Sequence, residues 1–414
     1  MLVVQKYGGS SVADAERIKR AAGRIARAYG EHKKVVVVLS AQGDTTDELY
    51  AKAFELNPQA SRRELDMLVT TGEQQSAALM AIALHSLGFP AISLNASQVG
   101  INASSVYGSA RIKSIETDRM NAELERNNIV VVAGFQGINR YGDVTALGRG
   151  ASDTTAVAIA AVLHADLCEI YSDVDGVYTA DPQIVKNARK INAISYDEMI
   201  ELASLGARVL HNRSVEMAKR YGVKLVVRSS FNESEGTLVN SDGAPYKENA
   251  KMEKTYVSGL AVDRDVARIS IVGVPDAPGV AYRIFSLLAK EKISVDIILQ
   301  SIGRGSSKDI TFTVCKSDLS QSLKILEENR EHIGCDSISH DDTIAKLSVV
   351  GAGMASNPGV ASTMFEALYD CGVNINMIST SEIKISVLID ESAVDKAANA
   401  VHDKFVLNNM GAKN

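Results

Sequence analysis

The sequence lacks most marks of secreted, membrane and nucleic-acid-binding chains. Its four cysteines, Cys168, Cys315, Cys335 and Cys371, are scattered and form no CxxC pair. That spacing offers neither a zinc-ligand set nor a disulfide framework. It fits reduced thiols, packed as small hydrophobes in a cytoplasmic protein. No metal site built from side chains is expected. The first residues, MLVVQKYGGSS, have no basic stretch followed by a long apolar one, so no signal peptide is expected. No apolar run approaches the ~18 residues of a membrane span. A net charge of −6 lacks the basic surplus of a nucleic-acid binder. Two nucleotide signatures are also missing, the Walker A sequence and GxGxxG. Their absence disfavours a P-loop nucleotidase and a dinucleotide dehydrogenase.

What is present is ordinary for a globular chain. Of 414 residues, 46% are hydrophobic and 23% charged, enough for two or three domains with large cores. Strand candidates fall at 2–5, 35–39, 91–94, 129–133, 167–171 and 224–228. Helical patterns lie between them, at 13–29, 62–87, 111–127, 152–164, 196–205 and 208–221. This alternation predicts an α/β domain, an open and mainly parallel sheet with helices on both faces. Ligands of such sheets bind beyond the C-terminal ends of the strands. Residues 1–239 are assigned to this domain. The polar stretch 240–262 reads as a linker.

Beyond it the chain repeats itself. RISIVGVPDAPGVAYRIFSLL from Arg268 matches KLSVVGAGMASNPGVASTMFEAL from Lys346. Pro278-Gly279-Val280-Ala281 corresponds to Pro358-Gly359-Val360-Ala361, Phe285 to Phe365 and Ser301 to Ser381. Each copy predicts a βαββαβ module, at 263–342 and 343–414. Gly279 and Gly359 can give the backbone a positive φ at a helix start. Free N–H groups there suit a carboxylate, hence an amino-acid ligand.

In the first domain, Lys6-Tyr7-Gly8-Gly9-Ser10-Ser11 follows the first strand. Adjacent glycines let backbone N–H groups approach phosphate oxygens, and Lys6 adds a compact positive charge. Similar polar loops are Ser40–Asp47, Thr71-Gly72-Glu73, Gly148–Thr155 and Tyr171–Pro182. Taken singly, each reads equally well as a cap or a turn. Together they outline one phosphate-friendly surface.

In order, KYGGSS, SAQGDTTDE, TGEQ, GFQG, TALGRGASDTTA, YSDVDGVYTADP, GARVLH and VRSS resemble aspartate kinase, within the amino-acid kinase family. The tail resembles tandem ACT domains with a ferredoxin-like βαββαβ fold. The resemblance covers essentially the whole chain. It implies transfer of the ATP γ-phosphoryl group to the β-carboxylate of L-aspartate, with Mg²⁺ bridging the phosphates. A carboxylate of pKa about 3.9 is already ionised at pH 7, so no general base is required. By the same resemblance Lys6 and Asp153 are catalytic. Glu73 pairs with the substrate amino group and Arg149 with a carboxylate, while Ser40, Thr45, Thr46, Asp47, Gly150 and Ser152 hold the amino acid. Gly8, Gly9 and Ser10 cradle phosphates. Ser172, Asp173, Tyr178, Asp181, Pro182, Gln183 and Arg208 hold the nucleotide. The chain departs from the family pattern at Ala151, Gln183, Gln42, Asn212 and Arg208. Ala151 replaces a glycine, a costly change if that position needs a positive φ.

The ACT resemblance implies feedback by lysine, threonine or both, and a homo-oligomer formed through the modules. Effector contacts are expected at Asp276, Pro278, Gly279, Asp296 and Gln300 in the first module. In the second they are expected at Asn374, Ile375, Asn376, Ser381 and Glu382. An internal start at Met252 would yield a separate small subunit. Two rival readings are a kinase of another small acid with the same fold and a sensor whose kinase half is degenerate.

Overall fold

Valine and isoleucine runs buried on both faces force a sheet covered by helices on either side. The computed structural model describes residues 1–148, 150–205, 209–243, 257–301, 307–354 and 357–411. The first unit opens with β1 (Leu2–Tyr7), α1 (Ala15–His32), β2 (Lys34–Leu39), α2 (Thr45–Leu56), α3 (Arg62–Val69), α4 (Thr71–Ser86) and β3 (Ala91–Leu94). It continues through α5 (Ala96–Val99), β4 (Ile101–Ala103), β5 (Ile112–Ile115), α6 (Asp118–Glu125), β6 (Ile129–Ala133), β7 (Gln136–Ile138) and β8 (Val144–Ala146). It closes with α7 (Ala151–Val162), β9 (Leu167–Ser172), β10 (Ala193–Ser195), α8 (Tyr196–Ser204), α9 (Asn212–Tyr221), β11 (Leu225–Ser229) and β12 (Thr237–Asn240).

The main sheet has the order β10-β12-β11-β9-β1-β2-β6-β3. All its pairs from β11 to β3 are parallel, while β11 and β12 run antiparallel. Strands β9, β1, β2 and β6 therefore end side by side, and so do the loops that follow them. Tyr7, Tyr171, Leu39 and Ala133 face a core with α1 and α4. Alternation along β1 turns Lys6 to the other face.

Two expectations are corrected here. The pattern over 62–87 is not one helix. Thr70 Oγ1 donates to Asp66 O at 2.8 Å and Thr71 Oγ1 to Leu68 O at 2.7 Å, and the helix breaks between α3 and α4. Hydroxyls that bond back into the preceding turn commonly bend a helix. The pattern over 111–127 begins as strand β5, paired with β4, and only then becomes α6. β5 belongs to a small second sheet, β5-β4-β7-β8, of three- and four-residue strands.

The second unit comprises Thr179–Arg189 and Glu253–Asn414. It contains β13 (Gly259–Asp263), β14 (Ala267–Pro275), α10 (Val280–Lys290), β15 (Ile298–Gln300), β16 (Ser307–Val314), α11 (Lys316–Glu328), α12 (Arg330–Ile333) and β17 (Ser337–Asp341). Then come β18 (Ile344–Val350), α13 (Val360–Asp370), β19 (Met377–Thr380), β20 (Lys384–Asp390) and α14 (Val394–Gly411). Strands β15-β16-β14-β17 form one sheet, and β13-β18-β20-β19 the other. The first copy is the expected βαββαβ. The second ends as βαββα, and its missing edge strand is supplied by β13, antiparallel to β18. The stretch 240–262 is thus not wholly a linker, because β13 begins within it.

Residues 179–189 also leave the first domain. Ala180 and Val185 are buried in the core of the second module. Asn399 Nδ2 donates to Ile184 O at 2.8 Å, and Thr179 Oγ1 lies 2.8 Å from His402 Nε2. The Thr179 carbonyl accepts the Leu260 N–H of β13 at 2.7 Å. All four cysteines are free. Among the described residues no helix is long and apolar enough to cross a membrane.

Candidate functional site

The four neighbouring strand ends are tied to one another through their backbones. Gly8 N–H donates to Tyr171 O at 3.1 Å and Ser40 N–H to Tyr7 O at 3.1 Å. Gly43 N–H donates to Gly9 O at 3.1 Å and Gly134 N–H to Leu39 O at 2.9 Å. Beneath them the rings of Tyr7 and Tyr171 stack at 4.7 Å, adjacent in the β1–β9 register. No motif marks this stack, although Tyr7 ends β1 and Tyr171 is the penultimate residue of β9.

The glycines here are required by close approach. A Cβ on Gly9 would sit 2.7 Å from Ala41 O and 3.2 Å from Gly43 O, both backbone atoms. One on Gly134, to which GFQG gave no role, would sit 2.7 Å from Ser152 Oγ. Gly9→Ala is therefore expected to displace the loop, at a cost of about 1–3 kcal/mol. A lower melting midpoint and a fall of about tenfold or more in kcat/KM for ATP would report it. A variant with wild-type kinetics would show that the loop tolerates the shift.

Lys6 and Asp153 form an ion pair at 2.7 Å, with about a tenth of each side chain exposed. Asp153 lies in the first turn of α7, next to the buried Ser152. Glu73, in the first turn of α4, is 3% exposed. Its Oε1 accepts the Ala41 N–H at 3.1 Å, while Oε2 is buried with no partner among the described residues. Burial raises its pKa to about 7, against the opposing pull of the Ala41 and Glu73 N–H groups. Glu73 thus holds the Ala41 N–H, while Gly9 lies close to the Ala41 carbonyl. Thr45, Thr46 and Asp47 form the first turn of α2.

Gly150 has φ +68, and a Cβ there would sit 2.5 Å from His211 Cδ2. The left-handed residue is thus Gly150, whereas Ala151 is the first residue of α7. The Ala151 side chain is buried with Ala103, Phe135 and Leu147, so the added methyl enters a core. Asn212 likewise fills the first position of α9, where its Nδ2 donates to Ser204 Oγ at 2.7 Å. Arg149 and Arg208 lie outside the described residues, as does Met252.

The nucleotide candidates are divided. Ser172 ends β9 and its hydroxyl accepts the Val174 N–H at 3.2 Å. Tyr178 donates to Asp175 at 2.8 Å, and Lys190 lies 3.3 Å from the same carboxylate, a tie the sequence reading did not identify. Asp181, Pro182 and Gln183 belong instead to the second unit, where Asp181 Oδ1 accepts the Gln183 N–H at 2.8 Å. Among the described residues no group of three or more His, Cys, Asp or Glu side chains is gathered to hold a metal.

The effector candidates are also divided. Gly279 and Gly359 precede α10 and α13 with φ +90 and +107, as the repeat anticipates. Asp276 pairs with Lys308 at 2.7 Å. Asp296 pairs at 2.6 Å with the buried Lys346, which also holds Asp263 at 3.1 Å. A ligand ammonium at Asp296 would take the place of that lysine. Gln300 and Asn376 line one cavity of about 420 Å³ together with Arg268, Ser270 and Thr311. Pro278, Gly279, Asn374, Ile375, Ser381 and Glu382 are not among its lining residues.

A lysine–carboxylate pair and glycine loops at parallel strand ends, followed by a duplicated sensor-like unit, define a small-molecule kinase with a regulatory tail. The model described as the amino acid kinase family matches residues 1–229, and the ACT domain model matches 269–329 and 347–405. The chain is 48% identical to the aspartokinase of Mycolicibacterium smegmatis, over 98% of this chain and 96% of that one. It is 49% identical to the aspartokinase of Helicobacter pylori strain 26695, over 98% of this chain and all of that one. Among solved structures, E. coli aspartokinase III in complex with aspartate and ADP is similar over 98% of this chain and 99% of that one, with 25% identity and a TM-score of 0.80. The chain belongs to the aspartokinase family.

Proposed function

We propose that this chain transfers the γ-phosphoryl group of ATP to the β-carboxylate of L-aspartate, giving 4-phospho-L-aspartate. That is the first step toward lysine, threonine and methionine, and end-product amino acids bound by the ACT pair restrain it. The observation that carries the chemistry is the Lys6–Asp153 pair at the end of β1, beside the glycine loop. The acceptor carboxylate is ionised at neutral pH and attacks without a base. Catalysis then consists of positioning and charge neutralisation. Lys6 stabilises the charge on the phosphoryl group in flight, and Asp153 fixes the direction of its ammonium. Gly8, Gly9 and Ser10 bring backbone N–H groups to the phosphates. Glu73 Oε2, buried and unpartnered, accepts the substrate ammonium. Arg149 takes a substrate carboxylate. Bound with the nucleotide, Mg²⁺ would supply charge neutralisation on the phosphates, and among the described residues no side-chain cluster is gathered to hold it independently of ATP.

Edge strands β15 and β19 support assembly through the modules. Ile298 and Ile378 are 49% and 41% exposed on them, and unpaired edges invite a second copy. The degenerate-sensor reading gives no use to a lysine buried against Asp153.

The test is steady-state aspartyl phosphate formation with aspartate, glutamate and acetylglutamate as acceptors. Lysine and threonine are then added singly and together. Aspartate is expected as the preferred acceptor, with turnover lowered by at least one effector. Turnover on glutamate or acetylglutamate but not aspartate would sink the substrate assignment.

A further inference from the structure

One motif in the sequence, VRSS, has no part in the site as described. Its last residue, Ser230, directly follows β11 and is 5% exposed. The Ser230 hydroxyl donates to Ser172 O at 3.0 Å and accepts from Ser11 Oγ at 2.8 Å. A hydroxyl has one proton, so the direction of the first bond fixes that of the second. Ser11 is itself buried, in the loop after β1, 219 residues away in sequence. Strand pairing does not require these side-chain bonds. The Ser230 N–H already donates to Ser172 O at 2.8 Å and continues the β9–β11 register.

The next residue, Phe231, makes a second tie. Its ring lies 5.5 Å from the Arg17 guanidinium, whose Nη1 donates to Ser10 O at 2.8 Å. The tail of β11 thus reaches two successive residues of the β1 loop, Ser10 through Arg17 and Ser11 directly. The loop's other two residues are held by Gly8 N–H to Tyr171 O and by Gly43 N–H to Gly9 O. Each residue from Gly8 to Ser11 therefore has its own anchor. None of these four bonds uses the N–H of Gly9 or of Ser10.

We infer that Ser230 is a positioning residue for nucleotide binding. Its one hydroxyl locks the loop after β1 to the end of β9, so that the Gly9 and Ser10 N–H groups and Ser172 hold fixed places toward ATP. This rests on the phosphate role proposed for Gly9 and Ser10 and on the nucleotide role proposed for Ser172. A binding group displaced by about 1 Å can cost as much as 100-fold, so the lock should be visible in nucleotide affinity. It should be visible selectively, because Glu73 and the Ala41 N–H it holds take no bond from this chain of hydroxyls.

The test compares Ser230→Ala, Ser11→Ala, the double variant and Gly9→Ala in the full chain. The readouts are ADP affinity by calorimetry, KM for ATP, KM for aspartate and melting midpoint. Ser230→Ala and Ser11→Ala are each expected to weaken ADP binding and raise KM for ATP about five- to tenfold, the order expected for one lost buried hydrogen bond. KM for aspartate should stay within about twofold. The double variant should add little to Ser230→Ala, because both changes break one bond. If Ser230→Ala does not fold, Ser11→Ala carries the test, since it removes the donor and leaves Ser230 on Ser172. Gly9→Ala weakening ADP while the folded serine variants stay within twofold overturns the inference alone. Additive serine effects, or equal losses for nucleotide and aspartate, also overturn it. Gly9→Ala with unchanged ADP affinity overturns the phosphate role of the loop and this inference with it.

Discussion

Lys6→Ala is expected to lower kcat by at least about 100-fold, in line with the loss of one preorganised electrostatic donor. The pair it forms with Asp153 is about nine-tenths shielded from water, so solvent replaces little of the lost charge. The effect should fall on kcat rather than on KM for aspartate, because the charge it meets develops on the phosphoryl group in transit. Effector binding, read by calorimetry or by equilibrium dialysis with lysine and threonine, should persist, since Lys6 lies in the first unit. Asp153→Asn should lower kcat in the same direction, because a freed ammonium loses its fixed orientation. A Lys6→Ala enzyme with near-normal turnover would remove Lys6 from the mechanism.

Glu73→Gln is expected to lower kcat/KM for aspartate by about 100-fold or more, the cost of leaving a buried ammonium without its anion. Burial holds the Glu73 carboxyl near 7, so much of the free enzyme carries it protonated at neutral pH. An ammonium ligand needs the anion. Aspartate binding must then release a proton, and affinity should climb as pH rises toward 7 and level off above it. In wild-type enzyme kcat/KM for aspartate should show an acid limb near pH 7, and Glu73→Gln should lack it. Stability moves the other way. A folded pKa above the unfolded one favours the folded state fully below the ordinary carboxyl range, and that advantage is lost as pH rises through about 7. The unliganded enzyme should therefore melt at a lower temperature at pH 8 than at pH 5 to the extent that Glu73 contributes, and aspartate should offset the loss. A wild-type profile with no acid limb between pH 6 and 8 would detach Glu73 from the ammonium.

Much of this architecture was legible in the residues. Strands β3 and β6 fall where their apolar runs begin and end, and the glycines of the repeat take the left-handed conformation their position implied. What escaped had physical reasons. Strands β4, β5, β7 and β8 are too short for alternation to show. The break at Thr70 depends on hydroxyl hydrogen bonds rather than on a helix-breaking residue. Ala151 would be costly only at a positive φ, and that conformation falls on Gly148 and Gly150 instead, which a glycine-rich motif alone does not decide. Buried Asp66, which accepts the Gly108 and Ala146 N–H groups, and Arg213, which donates to Leu147 O and Ala110 O, carry no motif of their own, because these partners are backbone groups far away in sequence.

The pairing of β13 with β18 has a consequence for how the gene could be divided. The first module is a guest lodged between the edge strand of the second module and the rest of it. A message translated from codon 252 would retain that strand. One beginning at residue 264 would leave β18 as a bare, apolar border. Even the longer fragment would lack Ala180 and Val185, and its core would be open where those two side chains now close it. A free-standing regulatory polypeptide from this chain would be complete in its sheets but not in its packing, and it would need a companion to supply the missing cover.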